Sequence, residues 1–280
     1  MSADAKDFGM IIDFHTHIYP DKIAAHGVEY IGSFYGLQLD TARGTKAHLE
    51  ACCAAAGVDY TVHLAVAVKP EQVQSINNWL SSVLDDHSFG FGTLHPEMEA
   101  PLDEVERFAP LGLSGVKFHP DMQGFAVDDP KLIPIYEKLA GRYPVLFHAG
   151  DRRYDFSGPR RIARVLDAFP KLTVIAAHLG GYTEWEAAFE CLCGRDVYFD
   201  TSSAVGFLPK EKAVEMIRSH RPDRLLFGTD YPVTAPKEAL QAFYALGLDH
   251  ELEEKILWKN AAALLHMDLK KTDCPDRPAG

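Results

Sequence analysis

Long apolar runs are missing from this sequence. No stretch approaches the ~20 apolar residues that a membrane-spanning helix needs, which excludes a helical membrane protein. Residues 1–8 hold no basic segment leading into an apolar one, so no export signal is read and a cytoplasmic location is expected. Cysteine is scarce and odd in number: the five are Cys52, Cys53, Cys191, Cys193 and Cys274. A disulfide framework is excluded by that count in a chain of 280 residues. Cys191 and Cys193 lack the second pair of a zinc ribbon, so they read as free thiols. Basic residues are in deficit, 28 Lys and Arg against 40 Asp and Glu, for a net charge of −12. An acidic surface repels phosphate backbones, so nucleic acid is excluded as a partner. A small substrate stays open, because the charge in a pocket can oppose the net charge. No Gly-rich turn follows the first apolar run, so the dinucleotide fingerprint is absent. There is no internal repeat and no low-complexity segment.

What is present is alternation. Short apolar runs at 10–14, 60–68, 89–94, 113–118, 144–147, 172–177, 197–199 and 224–227 are rich in Val, Ile and Phe, as buried parallel strands are. Amphipathic segments at 45–56, 70–86, 102–109, 129–140, 159–168, 183–192, 210–219 and 236–246 separate and follow them as helices. Eight strand–helix units in 280 residues predict one (β/α)8 TIM barrel spanning the chain as a single domain. Its core runs from about 10 to 265, with an extra C-terminal helix over 252–265 packed on the outside and a frayed tail over 270–280. Residues 17–45 read as one long loop after the first strand, of the kind that often covers a site. Phe34, Tyr19 and Tyr35 in it are candidates for an apolar lid wall.

In such a barrel the chemistry sits where strands end. His15 and His17 follow the first run, two residues apart, on one face. His148 ends the fifth run, His178 the sixth, and Asp230 follows the eighth. Imidazole nitrogens plus a carboxylate are ligands for a first-row divalent cation, with zinc the usual occupant. The other histidines have no such placement, and His63 inside a strand reads as a core residue.

The ordered set Asp13-Phe14-His15-Thr16-His17, His148, Ala-Ala-His178-Leu-Gly-Gly and Gly228-Thr229-Asp230-Tyr231-Pro232 resembles the amidohydrolase superfamily. Within it the chain is similar to the amidohydrolase-2 branch, the aminocarboxymuconate-semialdehyde decarboxylase-like metal-dependent enzymes. The resemblance implies that His15, His17, His148 and Asp230 ligate one metal ion per chain. It implies a catalytic or second-metal role for His178, and a proton-handling role for Asp230. By analogy with relatives, a homodimer is a candidate assembly.

Lys117, in Gly115-Val116-Lys117-Phe118-His119, shares a strand face with His119. It is a candidate for a carboxylated ligand bridging two ions, or for a cation that holds a substrate anion. Arg152 and Arg153, directly after His148, are candidates for clamping a substrate carboxylate. The leading expectation is a hydrolase in which metal-activated water attacks an amide, lactone or ester of a small substrate. The alternative is non-oxidative decarboxylation of an unsaturated or aromatic acid, for which an arginine facing the metal would be the mark. A non-catalytic barrel would have lost ligand positions, and here every one is filled.

Overall fold

A computed structural model describes residues 9–267. Eight parallel strands stand in chain order around one sheet: β1 (Ile12–Thr16), β2 (Tyr60–Leu64), β3 (Ser88–Thr93) and β4 (Leu113–Phe118), then β5 (Val145–Phe147), β6 (Val174–Ala176), β7 (Tyr198–Asp200) and β8 (Leu225–Leu226). The sheet turns back on itself. The Phe14 amide donates to the Phe227 carbonyl at 2.8 Å, Asp230 to His15 at 2.8 Å and His17 to Tyr231 at 2.7 Å. The architecture is the (β/α)8 barrel.

Helices α1 (Ala24–Tyr35) and α2 (Lys46–Ala56) follow β1, α3 (Val73–Val83) follows β2, and α4 (Pro101–Leu111) follows β3. After β4 come α5 (Pro120–Gln123) and α6 (Ile133–Leu139). Then α7 (Pro159–Ala168), α8 (Trp185–Cys191), α9 (Lys210–Ser219) and α10 (Pro236–Tyr244) follow β5 to β8 in turn. Proline opens α4, α7 and α10, where the missing amide would have had no partner anyway. Two apolar shells result. Ile12, Phe14, Val62, Leu146, Ile175 and Leu226 fill the barrel, while Val116, Phe118, Val145, Phe147 and Val174 pack outward under the helices. The alternation along β4 to β6 is the period of two that a strand imposes.

Two expectations are corrected. The segment read as a loop over 17–45 contains the twelve-residue α1. Its start has no side-chain cap and no acidic first turn, so the usual signals are absent. Ala24, Val28, Ile31 and Gly32 nevertheless form one buried face. The C-terminal helix is also more than an outer layer. It divides into α11 (His250–Glu254), a π-helical turn over Lys255–Lys259 and α12 (Asn260–Leu264), and Ala261 and Ala262 join the interior cluster with Ile12 and Phe14.

Cys52, Cys53, Cys191 and Cys193 are free thiols. Cys274, residues 1–8 and the tail over 270–280 lie outside the described residues. Among the described residues no helix is long and apolar enough to cross a membrane.

His220 follows α9 and is buried against Phe199, with ring centroids 4.0 Å apart. Its Nδ1 accepts from the Gly194 amide at 3.1 Å, and its Nε2 donates to the Val197 carbonyl at 2.9 Å. Burial pulls the imidazole down from 6.5 to about 4, outweighing the upward pull of the Val197 carbonyl. Between those values the unfolded chain binds a proton that the native state refuses. The resulting stability, about 3 kcal/mol in full, is present above pH 6.5 and is lost as pH falls towards 4. In His220→Gln, urea unfolding should show a flatter fall in stability over that window than in wild type. Equal slopes would place the acid loss elsewhere.

Candidate metal centre

At the C-terminal end of β1 the strand gains a residue. Asp13 pairs with Thr61 and Thr16 with His63, so β1 advances three residues while β2 advances two. Such a bulge re-aims side chains. Phe14 stays in the apolar interior, yet His15 next to it also faces the mouth together with His17. Across the seam, β8 comes close because residue 228 is glycine: a Cβ there would sit 2.8 Å from the His15 Cβ. Asp230 then projects from a left-handed backbone, φ 61°, which aspartate tolerates better than most residues. His178 and Leu179 at the end of β6 also have positive φ, 60° and 51°. Strained positions of this kind gather at functional sites.

The result is three convergent atoms. His15 Nε2 lies 3.2 Å from His17 Nε2 and 3.4 Å from Asp230 Oδ1, and His17 Nε2 is 3.5 Å from the same oxygen. The hydrogen bonds on the far sides of the rings decide what those atoms are. His15 Nδ1 donates to Asp200 Oδ2 at 2.9 Å, and His17 Nδ1 donates to the Leu64 carbonyl at 2.9 Å. Burial pulls His15 down to about 3, with the nearby Lys117 cation adding to the effect, so the ring is neutral near pH 7. A neutral ring with its proton on Nδ1 presents a lone pair at Nε2. Two ring nitrogens and a carboxylate oxygen converging on one point are the donors that a divalent ion takes, so the set fits one.

Asp200 holds the His15 ring in place, as carboxylate partners of metal-binding imidazoles do. Burial pushes Asp200 up, but His15 and its other hydrogen-bond donors hold it down at about 2, so it stays ionised. The amides of His178 and Ser202 donate to its Oδ1 at 3.0 and 3.1 Å. His15, His178 and Asp200 also offer donor atoms close together. There, however, the contact between His15 and Asp200 is a proton-filled hydrogen bond rather than two facing lone pairs.

His148 lines the same cavity but belongs to neither group. Its Nδ1 is 3.0 Å from His178 Nε2, and its ring stacks on His119 at 4.1 Å. His178 in turn donates from Nδ1 to the Ser202 carbonyl at 2.9 Å. Lys117 is fully buried, with Nζ 3.3 Å from His15 Nε2, and burial pulls its ammonium down to about 8 against Asp230 and Asp200.

The family model for amidohydrolases, Amidohydro_2, matches residues 12–267. The chain belongs to the amidohydrolase-2 family. Its members are metal-dependent enzymes that include hydrolases and carboxy-lyases. Among solved structures, the barrel matches 2,6-dihydroxybenzoate decarboxylase from Rhizobium with a TM-score of 0.72 and 17% identity, over 92% of this chain and 99% of that one. It matches 5-carboxyvanillate decarboxylase from Novosphingobium aromaticivorans, complexed with manganese and a nitrobenzoic acid, with a TM-score of 0.71 and 16% identity, over 92% and 96% of the two chains. A probable 2-pyrone-4,6-dicarboxylic acid hydrolase from Acinetobacter baumannii, with citric acid bound, gives 0.66 and 15%, over 91% and 99%. Identities this low speak for the fold. No curated protein matches the chain in sequence.

In this amidohydrolase-2 barrel the donors open onto a cavity of about 610 Å³. Its far walls are apolar, among them Ile31, Val66, Ile76, Trp79 and Met122. Neither Arg152 nor Arg153 lines it. Arg152 donates to the Thr183 carbonyl at 2.8 Å, and Arg153 is engaged by Asp151 at 2.6 Å and by the faces of Phe34 and Tyr35. Tyr35 does reach the cavity, carried there by α1, and so does His119. Asp200, Ser202 and Ser203 escaped the sequence reading, although Asp200 ends an apolar run just as His148 does. The strand-end rule, applied to β7, would have found it.

Proposed function

We propose that the protein is a metal-dependent hydrolase that opens an amide, lactone or ester bond of a small substrate. His15, His17 and Asp230 hold one ion, with His148 on the same wall as fourth donor, and zinc suits this nitrogen and oxygen set. A divalent ion held by these residues would supply Lewis-acid chemistry, polarising a carbonyl and acidifying the attacking water. Asp230 accepts the proton of the attacking water and passes it to the leaving group. Its Oδ1 faces the imidazoles while Ser203 Oγ donates to Oδ2 at 2.5 Å, so the carboxylate is held in one orientation. His178, held by the hydrogen bond from its Nδ1 to the Ser202 carbonyl, would stabilise the developing oxyanion only with a proton on Nε2. The apolar walls exclude water and receive the body of the substrate.

The observation that carries hydrolysis over decarboxylation is the cavity lining. Lys117 is the one Lys or Arg among its described lining residues, and no arginine is present to grip a carboxylate beside the ion. Lys117 is also what supports the alternative, a carboxy-lyase acting on a monocarboxylate. A paired assay separates the two. Protein reconstituted with zinc or manganese is given a panel of lactones, esters and amides, and in parallel a panel of aromatic and unsaturated acids with CO2 release as readout. Turnover confined to the first panel is expected. CO2 release without hydrolysis would replace the hydrolase by the lyase.

A further inference from the structure

Tyr35 ends α1, and its Oη lies 2.7 Å from His119 Nε2. The direction of that hydrogen bond follows from the other side of the imidazole. His119 Nδ1 accepts from the Met122 amide at 3.3 Å, where a protonated nitrogen would place two N–H groups head to head. The neutral ring therefore carries its proton on Nε2 and donates it to Tyr35 Oη.

The phenolic hydrogen is then turned away from His119. The two His148 nitrogens stand at 3.5 Å each, beyond a good hydrogen bond and equidistant, so Oη faces the ring edge between them. Among the described residues no carboxylate or carbonyl accepts that hydrogen. The ring cannot easily swing. Tyr182 meets it edge-on at 5.4 Å and the Arg153 guanidinium covers it at 5.3 Å. His119 is equally fixed: its amide donates to Gln123 Oε1 at 2.8 Å, and Gln123 is anchored to the Ala67 and Leu94 carbonyls. A half-buried, oriented hydroxyl donor thus lines the cavity alongside His178 and Asp230.

We propose that Tyr35 is a substrate-contact residue whose hydroxyl donates to a carbonyl or carboxylate oxygen of the substrate, with His119 as the positioning residue that sets the direction of the bond. This rests on the reading of the His15–His17–Asp230 cluster as the reaction centre. It holds for either chemistry, since both present such an oxygen.

The test is binding of benzoate, a small carboxylate with an apolar body, to zinc-reconstituted protein by calorimetry. Tyr35→Phe keeps the ring and removes the donor, and should weaken benzoate about tenfold or more, the effect of one hydrogen bond to a charged group. His119→Gln, whose amide can still donate to Oη, should stay within about threefold of wild type, whereas His119→Leu should approach the Tyr35→Phe value. Gln and Leu variants that weaken binding equally would remove His119 as the positioning residue. Zinc content is measured in parallel. Zinc retained with benzoate unbound by wild type, or bound equally by Tyr35→Phe, overturns the assignment alone. A wild type that takes up no zinc overturns the metal reading and this assignment with it.

Discussion

Asp230→Asn is expected to lower turnover by about 10³-fold or more while the barrel stays folded. Asparagine matches the shape of aspartate and shares its tolerance of the left-handed backbone at φ 61°. The Ser203 hydroxyl can still donate to the side-chain oxygen. What is lost is chemical. An amide neither takes a proton from water nor presents a negative oxygen to the ion beside His15 and His17. Removing a general base alone costs about 10² to 10⁴ in rate, and loss of an anionic ligand adds to it. Burial works against the Asp230 charge, but the surrounding imidazoles hold its pKa well below the ordinary carboxylate range. The base is therefore ionised at both pH 6 and pH 8, and the deficit should be the same at each. Turnover within tenfold of wild type, with circular dichroism unchanged, would remove Asp230 from the proton-transfer role.

His15→Ala should empty the centre. Three convergent atoms become two, and a remaining imidazole and carboxylate bind a divalent ion far more weakly. Mass spectrometry of wild type purified without chelators should find about one ion per chain, and of the variant less than about a tenth of that. Stability should fall as well, by about 1.5–3 kcal/mol, because the fully buried Asp200 carboxylate loses the hydrogen bond that the neutral imidazole donates to it at 2.9 Å. An ion retained at full stoichiometry would move the site to the His148–His178 side of the cavity. Two ions per wild-type chain would bring Lys117 in as a carboxylated ligand.

The sequence announces the barrel because each strand is buried on both faces and each helix on one, and those burial patterns are written directly in residue order. The ranges 159–168 and 210–219 coincide with α7 and α9, both strongly amphipathic. Helix α1 was not legible, because its uncapped start and its glycines at 27 and 32 hide a helix that survives on tertiary contacts.

For the site, strand ends pointed to His15, His17, His148, His178 and Asp230, and all five line one cavity. Their geometry was not legible. A bulge in β1 turns His15 and His17 to the mouth, and the glycine at 228 lets β8 approach His15. Each is a backbone event between segments more than forty residues apart. The arginines show the same limit from the other side. Sequence places Arg152 and Arg153 next to His148, but the loop turns them to Thr183 and Asp151, while Tyr35, 113 residues from His148 in sequence, arrives beside it.

By itself, then, the order of residues determined the (β/α)8 architecture, the absence of a spanning helix among the described residues and the set of metal-capable side chains, since all of these depend on local periodicity and residue chemistry. Only the tertiary structure decided which of those side chains converge, which ring nitrogen carries a proton and which charge faces the cavity. Those properties depend on distances of about 3 Å between distant segments, and no local pattern encodes them.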